Sequence, residues 1–297
     1  MMKPVAFDEI TESSATGKVS AIYEDMRQVL RSTQVNLIYR TLAVHENYFC
    51  AAWEALRPNA SIAYFERCAD NLRMRMAPPM PPDVPDIGEE LEDDCGYSPQ
   101  DIDAVDGVLD IYNDANPKNL ILVAALKGAL NGMKIGGIRP GSEADTDALP
   151  TGPPASMRAE SLVDPAGVDD SLGALYEEVR EATGGLGSVW RALGHHPAFL
   201  ERVWPFLKEE MAKAGYHITV TQAQGAAAAA AQEFPFAVDL SRERVAALGL
   251  SESEIDMIDQ KLDRFIHLIP RTNTLVLLMK AALVGEGRVR RKPFEGE

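Results

Sequence analysis

Few residues in this chain are placed to do chemistry. Asn116 stands directly before Pro117, at what the pattern reads as the start of an apolar helix running through residues 120–126. A helix start carries unpaired N–H groups and a partial positive charge, so a small carboxylate is one occupant of that spot. A plain asparagine cap is the other reading. Ser188 follows a glycine-rich stretch, residues 184–187, but no strand precedes it, which argues against a phosphate cradle. The histidines (His45, His195, His196, His217 and His267) form no HExxH and no carboxylate–histidine pair of ligand spacing. Cys50, Cys68 and Cys95 are odd in number and lack a CxxC, which speaks against a disulfide frame or a structural zinc site. With no Gly-x-Gly-x-x-Gly or Walker loop either, no metal and no cofactor is expected. Candidate chemistry is left to amides, hydroxyls and carboxylates, among them Glu66.

The elements that must position these groups occur twice. Residues 39–45, beginning Tyr39-Arg40, return as residues 190–196, beginning Trp190-Arg191, an offset of 151 (190 − 39). Tyr23 with Glu24 is echoed by Tyr176 with Glu177, and Ser98 with Asp101 by Ser251 with Glu254. Asn116-Pro117 is matched by Ile269-Pro270, an offset of 153 (270 − 117). Repeats in one order mean a duplication. The expectation is an all-α fold of two similar helical bundles related by a pseudo-two-fold axis. The first repeat covers 1–135, a Gly/Pro-rich linker 136–165 and the second repeat 166–297.

Helical spacing of Ile22, Met26, Val29 and Leu30 predicts a helix over 18–30, and a second is predicted over 35–56. A third opens at Ser61, carrying Glu66. The prolines of 77–82 demand an extended connector. Ser98-Pro99 is a strong helix start, and the helix is predicted to reach about 112, with a separate one opening at Asn116-Pro117. The alanine run 226–231 favours helix and close packing.

Lys plus Arg is 29 and Asp plus Glu is 45, giving a net charge of −16. Such a chain repels phosphate backbones, so nucleic acid is not a partner. No run approaches the ~18–20 apolar residues of a membrane span. No apolar signal core opens the chain, and a cytoplasmic location is expected.

Tyr23-Glu24-Asp25, the doubled Arg-x-Leu-Ala/Gly element, residues 59–70 and the run from Tyr112 to Lys118 together resemble the group I, non-stereospecific 2-haloacid dehalogenases. The resemblance covers nearly the whole chain. It implies an all-helical homodimer in which a carboxylate and an asparagine activate water. The water displaces halide at the 2-carbon of either enantiomer of a small 2-halo acid, with no enzyme ester. By that resemblance Asn116 and Glu66 match family site residues. Ser188 matches the serine before the catalytic aspartate, and the aspartate itself falls on Val189. A site threonine falls on Ile62, and the aromatic pair that helps hold the halide falls on Gln34 and Leu37.

Valine cannot take a proton, and loss of a general base costs ~10²–10⁴-fold in rate. Two readings follow. One is a dehalogenase-type hydrolase that uses Asn116 and Glu66. The other is a catalytically silent homologue, either purely structural or binding a small acid through Ser188, Val189, Gln34, Leu37 and Ile62. Residues 191–197 are also similar to helices of the alkylhydroperoxidase-like superfamily, whose peroxide chemistry needs the CxxC pair missing here.

Overall fold

Short polar side chains set the helix starts. The N–H of Asp101 donates to Ser98 Oγ at 3.3 Å, and the N–H of Ser98 donates to the Asp101 carboxylate at 2.8 Å. This is a closed capping box. Ser251 and Glu254 repeat it at 3.3 and 2.8 Å. Each box opens one of the two longest helices.

The computed structural model describes residues 8–138 and 146–295; part of the 136–165 linker lies outside the described residues. The first series of helices is α1 (Gly17–Leu30), α2 (Leu37–Leu42), α3 (Glu46–Ala60), α4 (Ala63–Arg75), α5 (Ile87–Cys95) and α6 (Pro99–Leu130). The second is α7 (Asp170–Thr183), α8 (Ser188–Leu193), α9 (Pro197–Met211), α10 (Ala214–Gln232), α11 (Arg242–Ala246), α12 (Glu252–Val284) and α13 (Glu286–Val289). The fold is all-α, as expected. Among the described residues there are only two isolated β-bridges, Ile62 with Ala148 and Ile135 with Val238, and no helix is long and apolar enough to cross a membrane.

The predicted helix over 35–56 is broken in two. His45, at φ −104° and ψ 71°, leaves the helical region between α2 and α3. The larger departure concerns Pro117. It lies inside α6, so the two helices expected on either side of it are one helix of 32 residues. Proline removes the N–H that would bond to the carbonyl of Asn113 and costs about 3 kcal/mol in a helix interior. The helix continues because residues 120–126 are buried on every face, and burial of several large apolar side chains exceeds that cost. Pro270 sits inside α12 in the same way.

Two hydrophobic clusters form, and they cut across the chain. The apolar residues of α1–α4 pack with the C-terminal part of α6 (Leu120–Leu130) and the N-terminal part of α12 (Ile255–Ile269). Those of α7–α9 pack with the other ends, Ile102–Tyr112 of α6 and most of Leu275–Leu283 of α12. Each long helix therefore belongs to both clusters, in opposite order.

Ion pairs between α6 and α12 follow the same reciprocity. Lys127 pairs with Asp259 at 2.9 Å and Asp263 at 3.5 Å. Lys280 pairs with Asp106 and, at 2.8 Å, with Asp110. The two sets are offset by 153 residues (280 − 127 and 259 − 106). A second correspondence ties α3 to α1 and α9 to α7. The Trp53 indole N–H donates to Asp25 at 2.7 Å beside Arg57, and that of Trp204 donates to Glu178 at 2.9 Å beside Lys208.

The two lysine sites differ in burial. The Lys280 side chain is 3% exposed and that of Lys127 19%. Lys280→Met leaves Asp106 and Asp110 without their buried counter-ion, so it is expected to cost about 3–5 kcal/mol. Lys127→Met is expected to cost about 1 kcal/mol. Urea denaturation at neutral pH measures both, and equal effects would contradict the assignment.

Candidate active site

The N-termini of α2 and α8 face the midpoints of α6 and α12, and two small adjoining compartments lie where they meet. The space in which the centre of a water-sized group can move is about 20 Å³ in one and about 30 Å³ in the other. Asn36, Tyr112 and Ser188 belong to both. Asn36 is itself fixed by local capping, its Oδ1 accepting the Ile38 N–H at 3.2 Å. The first compartment is otherwise bounded by Gln34, Tyr39, Lys118 and Asn119, and by Met26 and Leu30 of α1. The second is bounded by Leu37, Val189, Phe265, Leu268 and Ile269, with Asn116 and Thr272.

Five of the seven residues singled out from the sequence meet here. Asn116, Ser188, Val189 and Leu37 share the second compartment, and Gln34 and Ser188 the first. The setting of Asn116 differs from expectation. It is in the interior of α6, not at a helix start, so neither the anion seat nor the cap reading holds. Its amide is 4% exposed and donates to Asn273 Oδ1 at 3.3 Å, while Asn273 Nδ2 contacts Met76 Sδ at 3.2 Å.

Ile62 and Glu66 do not line either compartment. Ile62 caps α4 beneath the segment around Ala148, held by backbone bonds from Ala63 N–H to Asp147 O (2.9 Å) and from Leu149 N–H to Ser61 O (3.0 Å). Glu66 turns instead to Lys118 at 3.4 Å and Lys292 at 3.6 Å. Burial is the largest influence on Glu66 and pushes its pKa up, but the two lysines outweigh it and hold the carboxyl below its ordinary value. Lys118 is opposed by burial too. Asp114, at 2.9 Å, and Glu66 outweigh it and keep the ammonium charged. Both carboxylates are thereby committed to lysine.

Several groups at the site carried no assigned role in the sequence reading: Tyr39, Tyr112, Lys118, Thr272 and Asn273. Tyr39 opens the repeated element, and Tyr112 and Lys118 bound the run that carries the family resemblance. Those were the available signals. Nothing local marked Thr272 or Asn273, which reach the site only through the packing of α12 on α6. Apart from the Lys118 ammonium, which is paired with Asp114 and Glu66, the resulting chemistry is one of neutral amides and hydroxyls around an apolar wall. Among the described residues no carboxylate or imidazole lines either compartment. Among the described residues no group of His, Cys, Asp or Glu side chains is placed to hold a metal ion.

The fold and this site define an all-α scaffold with small cavities between its two clusters. Comparison with known proteins gives the family. Residues 33–158 match the family model described as "Halocarboxylic acid dehydrogenase DehI". The chain is similar to an (R)-2-haloacid dehalogenase of Pseudomonas putida, 27% identical over 86% of each chain. It is also similar to a configuration-inverting 2-haloacid dehalogenase of Alcaligenes xylosoxydans xylosoxydans, 30% identical over 68% of this chain and 69% of the relative. The solved structure of a D-2-haloacid dehalogenase in complex with L-LA has a TM-score of 0.87 and 24% identity, covering 96% of this chain and 99% of that one. The protein belongs to the 2-haloacid dehalogenase family, and its homologues are hydrolases of the carbon–halogen bond of 2-halo acids.

One expectation is corrected. The resemblance was to the group I enzymes, which attack both enantiomers. The relatives are instead named for the (R) configuration and for inversion. Chirality is selected by how several walls surround one carbon, and local sequence does not carry that.

The Glu66 shift has a consequence for stability. A carboxyl whose folded pKa lies below its unfolded value stabilises the fold above the unfolded pKa, here an ordinary 4.5, and that stability is lost as pH falls through the folded value. Glu66→Gln is expected to cost about 2–3 kcal/mol at neutral pH and to flatten the loss of stability on acidification below 4.5. Denaturation midpoints as a function of pH test this; an unchanged acid limb would contradict it.

Proposed function

We propose that the cavity between the clusters takes a small 2-halo carboxylate and that water replaces its halogen, in a site that has lost its own base. The observation that carries this is the convergence of Asn116, Ser188 and Thr272 with Leu37, Val189 and Phe265 in one buried compartment. The amides and hydroxyls are the groups that orient a water and an acid. The apolar wall suits a halogen and an alkyl substituent. With Asn116 Nδ2 donating to Asn273, its Oδ1 is the acceptor left to align the attacking water. The water oxygen bonds to the 2-carbon as the carbon–halogen bond breaks, the halide leaves with the electron pair, and the proton passes to solvent. Attack opposite the halogen inverts the carbon, in keeping with the names of the relatives.

A second reading is a silent acid-binding protein on the same scaffold. The absence of any carboxylate or imidazole from the cavity lining favours it. The reciprocal ion pairs and matched caps support one further reading, that residues 1–135 and 166–297 are copies of a single unit.

Halide release from (R)- and (S)-2-chloropropionate, measured for the wild type and for Val189→Asp, separates these readings. The variant is expected to gain about 10²–10⁴-fold, with the (R) form preferred. Slow release by the wild type supports the hydrolase. A silent wild type with an active variant supports the acid binder. Silence of both would overturn the small-acid assignment.

A further inference from the structure

This inference rests on the reading that the cavity takes a small acid, and it names the groups that seat the carboxylate. Tyr39 is 1% exposed and Tyr112 4% exposed, and both line the first compartment. Neither hydroxyl has a hydrogen-bond partner. The Gln34 side chain lies near enough to Tyr112 to favour its ionised form, but the phenol has no partner at hydrogen-bonding geometry. Lys118 is not a free donor, since Asp114, Glu66 and the Leu30 carbonyl already satisfy it.

A buried hydroxyl without a partner is costly, and native proteins hold few of them. Two at one small compartment mark a place that lacks an acceptor. The electrostatics fit an anionic one. Arg40 and Arg191, equivalent positions of the repeated element, both act on Tyr112 and favour negative charge there, against an opposing effect from Glu160. Burial outweighs them and the Tyr112 pKa is pushed up to about 12; burial raises that of Tyr39 also. At neutral pH both phenols are therefore protonated, and they donate.

We propose that Tyr39 and Tyr112 donate their hydroxyl protons in hydrogen bonds to the carboxylate of the 2-substituted acid, which places its 2-carbon and substituent in the neighbouring compartment against Leu37, Val189 and Phe265. Tyr112 and Ser188, shared by both compartments, form the threshold between the acid head and the reacting carbon.

Phenylalanine keeps the ring and removes only the hydroxyl. Titration calorimetry with (S)-lactate, the product of inverting hydrolysis of (R)-2-chloropropionate, tests the idea alongside neutral (S)-lactamide. Melting temperatures are read without ligand. Tyr39→Phe and Tyr112→Phe are expected to melt about 2–4 °C higher than the wild type, because an unpaired buried group is gone. They are expected to bind (S)-lactate about 10–100-fold more weakly, and lactamide, whose neutral carbonyl is a weaker acceptor, should show a smaller loss. Variants that bind lactate as the wild type does would overturn this inference alone. Variants that melt lower as well as binding worse would also overturn it, since the hydroxyls would then have a structural partner. A wild type that binds no lactate would overturn the small-acid reading together with this one.

Discussion

The packing of α6 on α12 is the constraint from which the rest of the structure follows. Each helix is over 30 residues long and runs through both hydrophobic clusters. A helix in that position has no solvent face along its middle, and residues 120–126 and 275–279 are buried on all sides. Polar groups on such a segment must find partners within the protein or stay costly. Lys118 and Lys280 illustrate the first outcome. Both lie within a few per cent of complete burial, and each is held by two carboxylates. The pairing is a condition of burial more than a source of stability, since desolvating the charges consumes much of the attraction.

The site arises at the same contact. Asn116 and Asn273 meet where the midpoints of α6 and α12 touch, and their mutual hydrogen bond accounts for only part of what two buried amides can make. Around them Tyr39, Tyr112 and Thr272 keep hydroxyls without partners. A packed core tolerates such groups poorly, and a cavity between two clusters is where they accumulate. Stability and binding draw on the same atoms here, in opposite senses. The short helices α2 and α8 close the cavity from the other side, so that Ser188 and Asn116 line one compartment.

Of the departures from the family pattern, Val189 and Leu37 wall the second compartment, Gln34 lines the first, and Ile62 lines neither. Val189 occupies the first turn of α8 and is 1% exposed. It is packed as a core residue would be, beside Phe265 and Ile269. Glu66 does not take over as a base, because Lys118 and Lys292 hold it ionised outside the cavity. A carboxylate tied to two ammonium groups is a poor proton acceptor, whatever its distance from a substrate.

Much of the helical plan was legible without coordinates. Helical periodicity, the Ser98-Pro99 start and the Pro-rich connector each depend on neighbours within a few residues, so the all-α architecture and the helix starts near 18, 61 and 99 could be read directly. The resemblance to the 2-haloacid dehalogenases pointed to Asn116, Ser188, Val189, Gln34 and Leu37, which the fold brings together. The continuity of α6 through Pro117 could not be read, because a local rule forbids it and only burial on both sides overrides the rule. The orientation of Glu66 could not be read either, since Lys118 and Lys292 come to it from α6 and from the chain beyond α13. Thr272 and Asn273 joined the site for the same reason. Sequence alone determined that the chain is helical throughout its core and which residue types were available. Tertiary structure decided which side chains share a cavity and which charges are neutralised. Helix formation is governed by contacts three and four residues apart, whereas a site at the crossing of two helices is governed by contacts more than 150 residues apart.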